Sequence, residues 1–232
     1  MTHNEAEKTH SAEKRTMRTS TSLALPVILM HLFLFTNASS STLVSFQVTD
    51  THIWQEKQFV GETDYQAVTI DGIKALKAHS LSSASGLYRE QRIDLHETPF
   101  INWHWRVDRT LPQLDEQTKP GDDYAARVYV VVDGGLRFWK TRALNYVWSS
   151  SMAPESTWDN AFAGPNVRMM ALRNNSNPTA KWLTEKRNVL SDLKQQFGDE
   201  IRYIDIVAIM TDSDNSMGEA ISYYSDIYFS EK

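Results

Sequence analysis

One stretch of the chain, residues 121–135 with the sequence GDDYAARVYVVVDGG, constrains the fold most strongly. It opens with a turn signal and two carboxylates, and it stops at a second turn signal, Asp133-Gly134-Gly135. Between these turns the side chains alternate between two faces. The first face carries Tyr124, Ala126, Val128, Val130 and Val132, and the second carries Asp123, Ala125, Arg127, Tyr129 and Val131. The first set is apolar and the second ends in valine, so the pattern predicts an inner strand with a polar patch at its beginning.

Similar short apolar segments, bounded by turn signals, recur along the rest of the chain. They predict further strands at residues 65–70, 73–80, 86–95, 100–107, 136–140, 144–149, 167–173, 203–210 and 221–229. Residues 149–166 read as a long loop. Residues 182–197 contain the best helix candidate, with helical spacing from Asn188 onward and Gly198 at the expected stop. This order of elements predicts an all-β protein: an antiparallel β-sandwich of jelly-roll or galactose-binding-like type with one late α-helix.

The N-terminal region has the pattern of an export signal. Residues 23–35 form an apolar run that is short for a membrane span, Arg15 and Arg18 precede it, and small residues follow it. We therefore expect a signal peptide over residues 1–40, with Met17 as an alternative start, and a single β-sandwich domain over residues 41–232. An uncleaved anchor helix is the alternative. Export predicts a periplasmic or secreted protein with no membrane span after the leader is cleaved.

Composition excludes several classes of function. The 232 residues carry a net charge of −5 and no long basic run, which argues against a nucleic-acid partner. The chain has no cysteine, so disulfides, thiolate metal sites and a cysteine nucleophile are excluded. Phosphate-loop, dinucleotide-binding and serine-nucleophile motifs are also absent from the sequence. The oligomeric state stays open.

Several segments occur in an order and spacing that resemble a known family. They are SGLYR at residues 85–89, WHWRV at 103–107, GDDYAARVYV at 121–130, YVW at 146–148, RNV at 187–189, FG at 197–198, MTDSDN at 210–215 and YYSDIYF at 223–229. Together they resemble the domain-of-unknown-function 3047 family of secreted proteobacterial proteins, over nearly the whole mature chain. That resemblance implies no established activity. The last segment is also similar to the closing strand of carbohydrate-binding jelly-roll modules.

Charged residues on strand faces form the main candidate site. If the strands that carry Arg106 and Arg127 are neighbours, their polar faces could meet in one concavity. Paired carboxylates and guanidiniums suit sugar hydroxyls or uronate carboxylates. The residues predicted to bind ligand are Arg89, His104, Arg106, Asp123, Arg127 and Trp148. The alternative is a salt-bridge network at one end of the sandwich.

Two further candidate sites rest on smaller signals. Asp122 or Asp123 could act as a general acid or base if partial burial raised its pKa. Closely spaced oxygen ligands suit calcium, so Asp212, Asp214, Asn215 and Asp226 are candidates for a structural calcium site. An ordinary turn is favoured over a metal there, and no other cofactor is predicted. Exposed aromatic residues could stack on sugars, with Trp139, Tyr146, Trp148 and Trp158 as candidates.

The sequence therefore predicts an exported, non-catalytic module that binds a carbohydrate or an envelope polysaccharide. One alternative is a jelly-roll polysaccharide lyase or glycoside hydrolase that uses Asp122 or Asp123. The other is a structural or interaction protein of the cell envelope. The residues favour binding over catalysis, because no catalytic motif is present.

Overall fold

Two β-sheets form a sandwich in the computed structural model, which describes residues 43–198 and 201–232. The predicted leader at residues 1–40 lies outside the described residues. In chain order the strands are β1 (Val44–Phe46), β2 (Gln55–Val60), β3 (Asp64–Ile70), β4 (Ile73–Leu81), β5 (Ala84–Asp94), β6 (Phe100–Arg109), β7 (Ala126–Val132), β8 (Arg142–Trp148), β9 (Thr157–Asn160), β10 (Gly164–Arg173), β11 (Leu183–Asn188), β12 (Tyr203–Asp212) and β13 (Glu219–Ser230). One helix, α1 (Val189–Phe197), lies between β11 and β12. The all-β sandwich prediction is confirmed.

The strands divide into a six-stranded and a seven-stranded sheet. The six-stranded sheet has the order β11-β6-β13-β4-β3, and β1 pairs with β13. The seven-stranded sheet has the order β2-β5-β12-β7-β8-β10-β9. The pairing of β8 with β10 is parallel, whereas the other described pairings are antiparallel. Strand β7 lies at the centre of its sheet, as its two-sided apolar pattern predicts.

Aromatic side chains from both sheets fill the space between them. Trp103 and Trp105, on the inner face of β6, are fully buried. The ring of Trp103 lies 5.5 Å from that of Tyr146, and the ring of Trp105 lies 5.9 Å from that of Trp148. Each such side chain removes roughly 150–250 Å² from water, which makes these contacts a main source of cohesion between the sheets. The inner face of β7 packs into the same core.

The turns follow local chemistry. Asp71 and Gly72 both have positive φ, 54° and 78°, and join β3 to β4 in the tight hairpin that an Asp-Gly pair predicts. Helix α1 begins after Asn188, whose side chain accepts a hydrogen bond from the Ser191 amide at 3.0 Å. It ends at Gly198, which has a φ of 73° in the left-handed region.

Two local predictions differ from the structure, and one strand was not predicted. Residues 136–140 do not form a strand, because the chain turns at Gly134 and forms a short 3₁₀ helix, Phe138–Lys140. The helix follows Asn188 as its spacing predicts, and the residues before it form the unpredicted strand β11, which pairs with β6. The predicted loop at 149–166 contains β9, a four-residue edge strand on β10. No helix in the described part of the chain is long and apolar enough to cross a membrane.

Candidate functional site

A groove runs across the outer face of the seven-stranded sheet. Arg127, Tyr129 and Val131 of β7 face away from the core, and Asn145 of β8 lies directly opposite Tyr129 in the register. The concavity has a volume of about 460 Å³. Its lining includes Phe59, Tyr129, Asn145, Asn160, Phe162 and Asp214. This size falls within the range of ordinary small-molecule sites, which is about 300–1,000 Å³.

An ion pair between two adjacent strands forms one end of the groove. The Arg127 Nε donates to Asp212 Oδ1 at 2.8 Å, and its NH2 group contacts Asp212 Oδ2. The guanidinium also lies 4.5 Å from the ring centre of Tyr124. Asp212 is almost completely buried. The Arg127 guanidinium is therefore held by the protein itself.

Asp122 joins this end of the groove to the loop after β9. Its carboxylate accepts hydrogen bonds from Asn160 Nδ2, at 3.0 and 2.8 Å, and from the Tyr124 hydroxyl at 3.1 Å. Asn160 Oδ1 in turn accepts from the amides of Phe162 and Ala163. Burial raises the pKa of Asp122, and the nearby Arg127 only partly opposes this. Asp122 thus fixes the segment that carries Phe162.

Asp123 supports the site from behind. It is 0% exposed, and its carboxylate accepts hydrogen bonds from the Asn215 backbone and side-chain amides, both at 3.1 Å, and from the Ser216 amide at 2.6 Å. This holds the turn after β12, which carries Asp214 to the groove. Burial raises the pKa of Asp214, and the negative charge of Asp123 raises it further.

Polar groups form the floor of the groove and aromatic rings form its rim. Tyr129 is half-buried and Asn145 is 4% exposed, and neither side chain makes a hydrogen bond to any other described residue. Phe59 and Phe162 are 60% and 57% exposed, and Lys119 Nζ lies 5.2 Å from the Phe162 ring centre. Asn145, Asn160 and Phe162 were not predicted as site residues. The available signal for Phe162 was an aromatic residue in a loop, two positions before Gly164.

Arg106 and Arg127, which were expected to line one concavity, lie in different sheets. Arg106 and His104 lie on β6, in the six-stranded sheet, whereas Arg127 lies in the seven-stranded sheet. Arg106 donates to Asp108 and Asp71, both at 2.6 Å, and His104 Nδ1 lies 2.8 Å from the Thr184 hydroxyl. The premise that their strands are neighbours is wrong, because β12 and β8 flank β7.

Two other predicted ligand residues also lie outside the groove. Trp148 is fully buried against Trp105, so it cannot stack on a ligand. Arg89 projects from the face of β5 opposite the groove, and its guanidinium lies 5.5 Å from the Phe46 ring centre. Among the other aromatic candidates, Tyr146 and Trp158 are buried, and Trp139 is exposed but does not line the groove.

The predicted calcium ligands fall into two places. Carboxylate oxygens of Asp212, Asp214 and Asp123 lie within 4.8 Å of one another, and Asn215 contacts this cluster. Asp226 is on β13 in the other sheet, 3.9 Å from His104 Nε2, so it cannot complete the set. The clustered carboxylates already contact Arg127 and several amide groups, which leaves few free oxygens for a hard cation. These residues therefore fit a calcium ion poorly.

The fold and the groove define a jelly-roll β-sandwich with a candidate binding face on one sheet. The chain belongs to the family described as "Protein of unknown function (DUF3047)", whose model matches residues 52–228. This confirms the resemblance found in the sequence. A comparison with curated proteins finds no match.

Several solved structures are similar to this chain. One is a family 11 carbohydrate-binding module from Clostridium thermocellum, in complex with a mixed-linked tetrasaccharide (9% identity, 81% of this chain, 94% of that chain, TM-score 0.43). Another is a family 30 carbohydrate-binding module of a cellulosomal cellulase from Clostridium thermocellum (12% identity, 81% of this chain, 96% of that chain, TM-score 0.45). A third is an endoglucanase from Rhodothermus marinus (9% identity, 82% of this chain, 99% of that chain, TM-score 0.45). At these identities the likeness concerns the sandwich fold alone.

Proposed function

We propose that this protein binds a glycan chain in the groove of the seven-stranded sheet and does not cleave it. One observation carries the proposal: exposed aromatic rings border a floor of polar groups that have no side-chain partner among the described residues. A sugar presents both apolar C–H faces and hydroxyl groups. Phe59 and Phe162 can stack on the C–H faces. Tyr129 and Asn145 can form hydrogen bonds with the hydroxyl groups. The predicted leader supports an envelope polysaccharide as the natural source of the glycan.

The side chain of Asn145 adds a second argument. Asn145 is 4% exposed and lines the groove, and its amide has no hydrogen-bond partner among the described residues. A ligand hydroxyl would supply that partner. Water can fill the same role in the free protein. Displacement of that water by a sugar hydroxyl keeps the hydrogen bond.

The environment of the carboxylates favours binding over hydrolysis or elimination. Asp123 is completely buried and accepts three N–H groups, which leaves it no access to a substrate. Asp122 lines the groove, but both of its oxygens already accept hydrogen bonds from Asn160. A general acid or base must reach the proton that it transfers. Neither carboxylate is free to do so.

A glycan array followed by calorimetry tests the proposal. We expect Phe162→Ala to weaken binding of the best glycan about tenfold, which corresponds to about 1.4 kcal/mol. Trp139→Ala is the matched control, because Trp139 is similarly exposed at 59% but lies outside the groove. An array without any binder, or equal affinities for the two variants, would refute the proposal. Release of new reducing ends would instead indicate a hydrolase.

A further inference from the structure

The lining of the groove has more carboxyl groups than basic groups. It includes the carboxylates of Asp122, Asp212 and Asp214, but Arg127 is the basic residue among the lining groups. Two nitrogens of the Arg127 guanidinium, Nε and Nη2, contact the Asp212 carboxylate. Neither Asp122 nor Asp214 forms an ion pair with a lysine or arginine in the described chain. Lys119 lies at the rim, next to the Phe162 ring.

Asp214 is the carboxylate best placed to meet a ligand. It is half-buried, lines the groove, and accepts a side-chain hydrogen bond from the Asn215 amide at 3.3 Å. Carboxylate oxygens of Asp123 and Asp212 lie within 4.8 Å of one of its own. Like charges at this distance are unfavourable, and a cation brought to the groove side of Asp214 would relieve them.

A second observation points to a ligand in the same cavity. Asn145 is more than nine-tenths buried, lines the groove, and has a side-chain amide with no partner among the residues that the structure describes. The hydroxyl of the half-buried Tyr129 also has no partner among these residues and lies on the same face of the sheet. The cavity therefore offers neutral hydrogen-bonding groups on its floor and unneutralised carboxylates at one end.

We infer that the glycan bound here is an amino-sugar oligosaccharide that carries free, protonated amino groups. The inference rests on the proposed function and specifies its ligand class. An ammonium group donates three hydrogen bonds, and such charge-assisted bonds to a carboxylate are about twice as strong as neutral ones. One ammonium meets Asp214, while hydroxyls of neighbouring units reach Tyr129 and Asn145. Uronate chains are disfavoured, because the Arg127 guanidinium is already occupied.

Calorimetry with three oligosaccharides of equal length tests this inference: glucosamine, N-acetylglucosamine and galacturonate oligomers. We expect the glucosamine oligomer to bind about tenfold more tightly than its N-acetylated form, with a preference that shrinks as salt is added. Asp214→Asn should abolish the preference, so that the glucosamine and N-acetylated oligomers bind with equal affinity. Asp226→Asn is the matched control, because it removes an exposed carboxylate from the other sheet.

The outcomes separate the inference from the proposed function. Equal affinities for the glucosamine and N-acetylated oligomers would overturn the inference and leave glycan binding intact. Tighter binding of galacturonate would overturn it as well. Binding of calcium chloride alone, lost in Asp214→Asn, would make the carboxylate cluster a metal site and would also overturn it. No binding of any oligomer, with an empty glycan array, would refute the proposed function itself.

Discussion

Arg127 of β7 and Asp212 of β12 form a buried, side-on ion pair that ties together the two central strands of the seven-stranded sheet. The Nε–Oδ1 distance is 2.8 Å, and the Asp212 side chain is 1% exposed. Asp212 Oδ1 also accepts a hydrogen bond from the Tyr124 amide at 3.3 Å, so the pair helps to hold the entry of β7. A residue that appears suited to bind an anionic ligand is therefore part of the scaffold.

The first prediction concerns the stability of this pair. Arg127→Ala leaves the Asp212 carboxylate buried without its cation, so we expect a loss of about 3–5 kcal/mol in the free energy of unfolding. Arg92→Ala is the matched control, because the Arg92–Asp205 pair has 65% and 23% exposed side chains. We expect Arg92→Ala to lower the free energy of unfolding by about 0–1 kcal/mol. Urea denaturation measures both, and equal losses would show that the buried pair has no special role.

A second prediction distinguishes core tryptophan from surface tryptophan. Trp148→Ala opens a cavity beside Trp105, and we expect it to lower the free energy of unfolding by about 3–5 kcal/mol. Trp139→Ala should change it by less than about 0.5 kcal/mol, because that ring is mostly exposed. Denaturant melts of the two variants provide the test. If Trp148→Ala has little effect on the free energy of unfolding but abolishes glycan binding, Trp148 contacts the ligand and is not a core residue.

The fold could be predicted largely from local patterns. The alternation along β6 and β7 fixed which side chains face the core, and the Asp71-Gly72 pair fixed a hairpin. Pairing between distant segments was not predictable in this way. The sequence of β11 does not predict a strand, because its stability comes from pairing with β6 rather than from its own residues.

The site was less accessible to sequence reasoning, because it depends on which strands are neighbours. The sequence pointed to Asp122, Asp123, Asp212 and Asp214, which the structure does bring to one end of the sheet. It also grouped Arg106 with Arg127, although they belong to different sheets. Alternation assigns a side chain to a face but does not say which sheet that face belongs to. Asn145 and Phe162 carry no motif and are recognisable only from the shape of the groove.

A third prediction concerns calcium. Carboxylates of the Asp123, Asp212 and Asp214 cluster already contact Arg127 and backbone amides, so metal should contribute little to folding. We expect the melting temperature to be the same with EDTA and with added calcium. A calcium site filled at about a hundred times its Kd would add about 2.7 kcal/mol. A melting temperature that falls with EDTA and recovers with calcium would establish a structural metal.

The last prediction compares two carboxylates whose pKa values shift in opposite directions. Burial raises the pKa of Asp122, whereas the hydrogen bond from Arg202 lowers the pKa of Asp94. Asp122 therefore adds stability that is complete below its unfolded pKa of about 3.9 and is lost as pH rises through its folded pKa. Asp94 adds stability that is present above about pH 3.9 and is lost as pH falls through its folded pKa.

Urea melts of Asp122→Asn and Asp94→Asn across acidic and neutral pH measure these contributions directly. The difference in unfolding free energy between wild type and Asp122→Asn should decrease as pH rises above about 4 and then level off. The difference for Asp94→Asn should decrease as pH falls below about 4, so the two curves have opposite slopes. Slopes of the same sign would contradict the assigned environments. A flat curve for Asp122→Asn would mean that Arg127 and Asn160 fully offset the burial of its carboxylate.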